Sequence, residues 1–178
     1  MGGYIAPLVA NKNRHVTAVG ISGMGPMGVV PNTILTARVQ AMDGKITESE
    51  ARTLIQQEYN NWLYCRDSTD AQSLARGTTG LLPRGWKSLS TPQMDLIAGM
   101  KQPVFIAYGT KDYISLPCEW LPLYFINHHK TNYSICPYPG GHNFESQDGN
   151  GNYNRENKIR SWHRVTADFA KFVRRTTY

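Results

Sequence analysis

Residues 103–109 read Pro-Val-Phe-Ile-Ala-Tyr-Gly, an apolar run that breaks at a glycine and is followed closely by Asp112. A short apolar run that ends in a turn is typical of a buried strand, so Asp112 is predicted at the tip of that strand. A second strand, Tyr133–Cys136, leads into Pro-Tyr-Pro-Gly-Gly-His-Asn-Phe at 137–144 and places His142 on a glycine-rich loop. Parallel strands joined by a helix end at the same edge of a sheet, so the two side chains are expected to meet there.

A carboxylate that fixes the tautomer of an imidazole forms two parts of an acyl-transfer triad, whose third part is a nucleophile. In α/β-hydrolases the chain order is nucleophile, acid, histidine, and the nucleophile lies in a Gly-x-Ser-x-Gly turn before a helix. The opening residues, Met1-Gly2-Gly3-Tyr4, resemble the start of that helix in members that read Gly-x-Ser-Met-Gly-Gly. The resemblance puts the serine just before Met1, so the sequence is expected to begin one residue after its nucleophile.

The resemblance to the C-terminal part of an α/β-hydrolase covers residues 1–22 and 103–175. It implies a serine hydrolase of the esterase type, which acts on a small-molecule carboxylic ester or related acyl compound and needs no cofactor. His142 would be general base and then acid, Asp112 would orient it, and the backbone N–H of Met1 would belong to the oxyanion hole. Without the serine, the truncated chain itself is expected to be inactive or nearly so.

The implied fold class is α/β, with about three strands from the C-terminal half of an α/β-hydrolase parallel sheet. Residues 1–28 and 101–178 would form this partial core, and residues 29–100 would form a helical cap insertion. In that insertion Trp62, Tyr64 and Trp86 are candidate substrate-pocket residues.

Two helices are predicted in detail. The sequence Thr47-Glu48-Ser49-Glu50 indicates a capping box that opens a helix through Tyr64. Residues 155–175 form a second, amphipathic helix. Each helix carries an apolar stripe that is expected to pack in a core: Leu54, Ile55, Tyr59, Trp62 and Leu63 in the first, and Ile159, Trp162, Val165, Phe169 and Phe172 in the second.

Ser22 is an alternative nucleophile, because Gly20-Ile21-Ser22-Gly23-Met24 follows a strand and precedes Asp112 and His142 in the required order. The last position of this turn is Met24, where a true nucleophile turn normally needs a small residue. No helix is predicted directly after it. A serine at the end of a strand, beside the site, is the other interpretation.

The segment 23–28 reads Gly-Met-Gly-Pro-Met-Gly and matches the Gly-x-Gly-x-x-Gly dinucleotide pattern after a strand. Pro26 and Pro31 remove N–H donors where a helix N-terminus should present them to a pyrophosphate, so a loop that leaves the sheet is favoured. A non-catalytic module that binds a ligand or nucleotide at this sheet edge stays the alternative function. Asp112 as a turn cap and His142 bonded to a backbone carbonyl are the corresponding structural interpretations.

The chain has 178 residues and a formal net charge of +6. Its basic residues are scattered, except for Lys171, Arg174 and Arg175 at the last turn of the closing helix, where the helix dipole favours positive charge. No nucleic-acid motif accompanies the charge, so no nucleic-acid partner is predicted. A metal site is not predicted either, because the adjacent His128 and His129 point apart on a helix and no carboxylate cluster joins them.

Three cysteines without a Cys-x-x-Cys pair fit reduced thiols in a cytosolic protein, although a single disulfide is compatible with their number. No run is long enough to span a membrane, and Met1 starts no signal peptide, although a missing natural N-terminus would leave the compartment undefined. A sheet cut from a larger one exposes an unpaired strand edge. Self-association through that edge is therefore expected.

Overall fold

The computed structural model describes residues 2–68, 83–147 and 153–176. Helices alternate with short strands along this part of the chain. In order, the elements are α1 (Gly2–Lys12), β1 (Val19–Ser22), α2 (Val29–Met42), α3 (Glu48–Asp67), α4 (Pro83–Leu89), α5 (Gln93–Gly99), β2 (Val104–Gly109), a 3-10 helix (Leu116–Trp120), α6 (Leu121–Asn127), β3 (Tyr133–Tyr138), β4 (Ser146–Gln147), β5 (Tyr153–Asn154) and α7 (Arg155–Thr176).

The main sheet is parallel, with the order β1-β2-β3 and β2 in the centre. Val104 of β2 is opposite Val19 on one side and Tyr133 on the other. All six residues of β2 are buried, as expected for a central strand covered on both faces. The predicted class is confirmed, because the fold is α/β with a three-stranded parallel sheet.

Helices cover both faces of this sheet. On one face, Ile21 and Ile106 pack with residues of α1, α5 and α6, among them Phe125. On the other face, Phe105 packs against Phe169 and Phe172 of α7. Burial of one such side chain contributes about 1.5–3 kcal/mol, so the sheet and its two helical layers hold each other in place.

The stripe predicted along α7 is correct except at its first member. Four members pack in the core with Phe105, on the face of the sheet that α7 covers: Trp162, Val165, Phe169 and Phe172. Ile159 is 46% exposed. Ile159 lies in the first turns of α7, which directly follow the short β5 strand. The apolar stripe of the helix therefore packs in the core from Trp162 onward.

The chain divides into two compact units, residues 1–26 with 93–178, and residues 27–92. Within the first unit, Pro26 carbonyl oxygen accepts hydrogen bonds from the backbone N–H groups of Gln93 and Met94. The second unit ends at residue 92, whereas the sequence predicts a cap insertion over residues 29–100, and the role of a cap stays a prediction. Residues 93–99 form α5, and Ile97 belongs to the core below the sheet, so this helix folds with the sheet unit.

The helical unit 27–92 contains the capping box as predicted. Thr47 Oγ1 accepts the backbone N–H of Glu50 at 3.2 Å, and Glu50 Oε2 accepts the backbone N–H of Thr47 at 2.7 Å. The predicted apolar stripe of α3 is wrong in part, because Tyr59 is 47% and Leu63 48% exposed. The buried residues of α3 are instead Ala51, Glu58, Asn61 and Cys65.

Candidate functional site

Asp112 lies at the end of β2, as the sequence predicts, and its carboxylate is enclosed. The residue is 4% exposed. Oδ1 accepts the backbone N–H of Ile114 at 3.1 Å, and Oδ2 accepts the hydroxyl of Ser115 at 2.5 Å. The backbone N–H of Asp112 itself donates to Gly109 carbonyl oxygen, which closes the turn after the strand.

The pKa of Asp112 is lowered despite its burial. Burial raises the pKa of this carboxyl, because the charged form loses solvent, but hydrogen bonds from His142 and Ser115 favour the charged form and outweigh that effect. The carboxylate is therefore ionised and acts as an acceptor. A buried, ionised carboxylate with fixed donors is held in a single orientation.

The loop that carries His142 is tied to the end of β2. Gly109 allows the close approach, because a Cβ at this position would lie 2.1 Å from Gly141 carbonyl oxygen. Inside the loop, Gly141 and Glu145 are joined by a backbone hydrogen bond of 2.8 Å. Phe144 anchors the loop, since it is fully buried and its ring packs edge-on against Trp162.

These constraints bring His142 to Asp112. Its Nδ1 lies 2.9 Å from Asp112 Oδ2. Because the carboxylate is an acceptor, Nδ1 carries the proton of this hydrogen bond, and in the neutral ring Nε2 has the free lone pair. The hydrogen bond to Asp112 raises the pKa of His142 more than partial burial lowers it. The imidazole is 45% exposed on its side chain, so small molecules can reach it.

The ring of His142 lines a cavity of about 420 Å³ at this sheet edge. Gly2 and Gly3, at the start of α1, line the same cavity, as do Ser22 and Gly23 at the end of β1. The other lining residues are Gly20, Ile21, Asn143 and Trp162. A reacting group held here would touch an imidazole, a helix N-terminus and the end of a strand.

Ser22 shares this cavity with His142, but no hydrogen bond joins the two side chains. The next residue, Gly23, has a φ of 58°, and α2 begins only at Val29. A nucleophile turn leads directly into its helix, so the local geometry at Ser22 differs from that pattern. Met1, the predicted oxyanion residue, lies outside the described residues.

The glycine-rich turn after β1 packs in the core of the sheet unit. Met24 is fully buried, and its carbonyl oxygen accepts the thiol of Cys118 at 3.5 Å. Pro26 carbonyl oxygen is occupied by α5, as described above. These contacts give the turn a structural role that needs no bound dinucleotide.

Trp62, Tyr64 and Trp86 lie together in the helical unit. Trp86 is 1% exposed and forms a core cluster with Val30 and Cys65, against which Trp62 and Tyr64 pack. This packing explains their burial. Their role in a substrate pocket stays a prediction.

Three residues of the site were not singled out by the sequence. Gly109 ends the apolar run and Phe144 ends the glycine-rich stretch, but neither they nor Ser115 have a predicted role in the site. Gly109 and Phe144 contribute through contacts between separate parts of the chain, with Gly141 and with Trp162. Ser115 contributes through a local contact with Asp112, three positions before it. A serine three residues after a candidate carboxylate is the one local signal that was available.

The three cysteines are free, with Cys65 and Cys118 buried. In the described part of the chain, no group of three or more His, Cys, Asp or Glu side chains is placed to hold a metal ion. None of the helices among the described residues combines the length and the apolar character that crossing a bilayer requires.

No protein-family model matches the sequence, and no curated protein matches it significantly. Among solved structures, NosK from Streptomyces actuosus is similar, with a TM-score of 0.53 and 16% identity over 99% of this chain and 66% of NosK. A thioesterase domain from the curacin biosynthetic pathway aligns with a TM-score of 0.38 and 11% identity over 79% of this chain and 57% of that domain. The chain thus spans less than two thirds of the length of each of these proteins. The similarity to NosK shows a shared α/β fold.

Proposed function

We propose that this chain carries the acid and the base of a serine hydrolase that cleaves carboxylic ester or related acyl bonds. The hydrogen bond of 2.9 Å between His142 Nδ1 and Asp112 Oδ2 is the observation that carries the proposal. Its support is the surroundings of the pair: an ionised, three-fold bonded carboxylate on one side of the imidazole and an open cavity on the other.

In each half of the proposed reaction, His142 accepts one proton and then donates it. Nε2 takes the hydroxyl proton as the serine oxygen bonds to the carbonyl carbon, and the carbonyl electrons move to its oxygen. The intermediate then collapses, the bond to the leaving alkoxide breaks, and Nε2 returns the proton to that oxygen. In the second half, Nε2 takes a proton from water as the water oxygen bonds to the acyl carbon. The bond to the serine oxygen then breaks, Nε2 returns the proton to that oxygen, and the carboxylic acid leaves. Asp112 stays ionised and stabilises the imidazolium in both halves.

The proposed nucleophile is a serine immediately before Met1, and Met1 in turn precedes α1. Gly2 and Gly3 lie in the first turn of α1 and line the cavity of His142, which supports a nucleophile at this end of the helix. The backbone N–H of Met1 would then help to stabilise the oxyanion, as the residue after the nucleophile does in α/β-hydrolases. Trp62, Tyr64 and Trp86 are the proposed substrate-pocket residues, in a unit that acts as a cap.

A fluorophosphonate probe, which reacts with activated serines, tests the proposal. The 178-residue chain is compared with versions preceded by Gly-Xaa-Ser and, as the matched control, by Gly-Xaa-Ala. We expect stoichiometric labelling only of the version with the added serine. The substitution His142→Gln in that version should slow labelling by about three orders of magnitude or more, because members of a triad act as a unit.

Three results distinguish the alternatives. Labelling of the added serine that is independent of His142 contradicts the assigned base. Stoichiometric labelling of Ser22 in the 178-residue chain contradicts the assigned nucleophile. If no version reacts although each is folded, the hydrolase proposal is wrong and a binding module without chemistry becomes the better description.

A further inference from the structure

The helical unit 27–92 buries polar side chains where its longest helix would be expected to bury apolar ones. On α3, Glu58 is 3% exposed and Asn61 is 7% exposed, while Tyr59 and Leu63 are about half exposed. Burial of a carboxyl group is unfavourable unless it is hydrogen-bonded, and a protein that retains such a group needs a reason. The polar face of α3 is therefore a candidate for function.

Glu58 is only partly satisfied within the described residues. The side chain of Asn61 forms a hydrogen bond with its carboxyl group, which favours the charged form, but burial has the larger effect and raises the pKa of Glu58. Oε2 is buried and has no hydrogen-bond partner in the part of the chain that the structure describes. Thr36 Oγ1, on the facing helix α2, is likewise buried without a partner there.

Glu58 and Thr36 line one cavity of about 370 Å³. Six further residues complete its lining: Thr33, Ala37, Gln40, Leu54, Gln57 and Asn61. Its polar groups are hydroxyls, amides and one carboxyl, and neither lysine nor arginine is among the lining residues. Ala37 and Leu54 add an apolar wall. The cavity thus offers one acidic group, neutral acceptors and room for a short aliphatic stem.

We propose that this cavity binds a small ligand with a primary ammonium group. The ammonium would donate to Glu58 Oε2 and Thr36 Oγ1, because an ammonium has three donors and these oxygens have no described partner. Its positive charge would favour the ionised carboxylate, and its aliphatic stem would contact Ala37 and Leu54. The site lies wholly within residues 27–92 and does not depend on Asp112 or His142.

The probe is n-butylammonium chloride, titrated into the full chain while backbone and side-chain NMR signals are followed. 1-Butanol, which has the same shape without the charge, is the ligand control. We expect saturable shifts at Thr36, Glu58 and Asn61, and an affinity for 1-butanol at least tenfold weaker. Equal affinity for the two probes, or no shifts at these residues, would overturn the proposal.

Glu58→Gln keeps the shape of the side chain and removes its charge, so it should weaken n-butylammonium binding at least tenfold. Glu48→Gln is the matched control, since it removes the same charge from an exposed position on the same helix. The affinity of the Glu48→Gln variant for n-butylammonium should stay within twofold of that of the unchanged protein. Ala37→Leu retains Glu58 and fills the cavity, so it should also abolish binding. Unchanged affinity in a folded Glu58→Gln or Ala37→Leu variant contradicts the site.

Discussion

The imidazole of His142 lies directly against the backbone of Gly23. A Cβ on Gly23 would come within 2.9 Å of His142 Cε1, and the φ of 58° at this position is one that other residues rarely adopt. The backbone at the end of β1 therefore contacts the imidazole and restricts its movement away from Asp112. A glycine at the end of one strand fixes the position of a histidine on the loop after another.

Gly23→Ala should displace His142 from Asp112. We expect the pKa of His142, followed by NMR of its Cε1 proton, to fall toward its ordinary value, because the hydrogen bond that raises it is lost. Gly44→Ala is the matched control, since Gly44 has a φ of 69° and open space around its Cα. Both variants should lose about 1–2 kcal/mol of stability from the left-handed backbone. A His142 pKa that stays raised in Gly23→Ala would contradict the contact.

Asp112→Asn should lower the pKa of His142 and change how stability depends on pH. The lowered pKa of Asp112 adds stability above its ordinary value of 3.8, which is lost as the pH falls through the folded-state value. The raised pKa of His142 adds stability below its ordinary value of 6.5, which is lost as the pH rises through the folded-state value.

Urea unfolding across this pH range measures the effect of Asp112→Asn. The unchanged protein should gain most from the pair between the two ordinary values and lose that gain toward lower and higher pH, whereas the variant should lack the gain throughout. His163→Gln, on α7, is a control for loss of a histidine away from the site. Parallel pH profiles for Asp112→Asn and the unchanged protein would show that the pair contributes no differential stability.

Ser115→Ala removes a hydroxyl that donates to the buried Asp112 Oδ2. Since this bond favours the ionised carboxylate, we expect the pKa of Asp112 to rise and the free energy of unfolding to fall by about 1–3 kcal/mol. Ser134→Ala, in β3, is the control, because it removes a hydroxyl of the same kind, one that lies 3.4 Å from the sulfur of Cys136. The pKa of Asp112 is measured by carboxyl-carbon NMR in both variants. The same value in the two would contradict this assignment.

We expect self-association through β1, which pairs with β2 on one side and is one of the two outer strands of the described sheet. The backbone N–H groups of Val19 and Gly23 point toward β2, so those of Gly20 and Ser22 point away from it. Light scattering should show a mass that rises with concentration. Hydrogen exchange at Gly20 and Ser22 should slow in parallel. A constant monomer mass with fast exchange at both amides argues against this interface.

Several parts of the fold and of the site were predictable because their signals are local. The apolar run before Gly109 indicates the central strand, and the order of Asp112 and His142 along parallel strands brings them to one edge of the sheet. The capping box at Thr47 lies within four consecutive residues. The buried face of α3 was not predictable, because its helical periodicity favours Leu63 while packing against α2 buries Glu58 and Asn61.

The sequence by itself determined the class of the fold, because apolar periodicity and turn residues act over a few positions. It also determined that the candidate acid and the candidate base each follow a strand, and therefore the chemistry that the pair can offer. Only the tertiary structure decided which groups complete the site. Gly23 against His142 and the cavity beside Glu58 depend on distances between separate elements. Those distances are set by how side chains fill the core, and no local pattern records them.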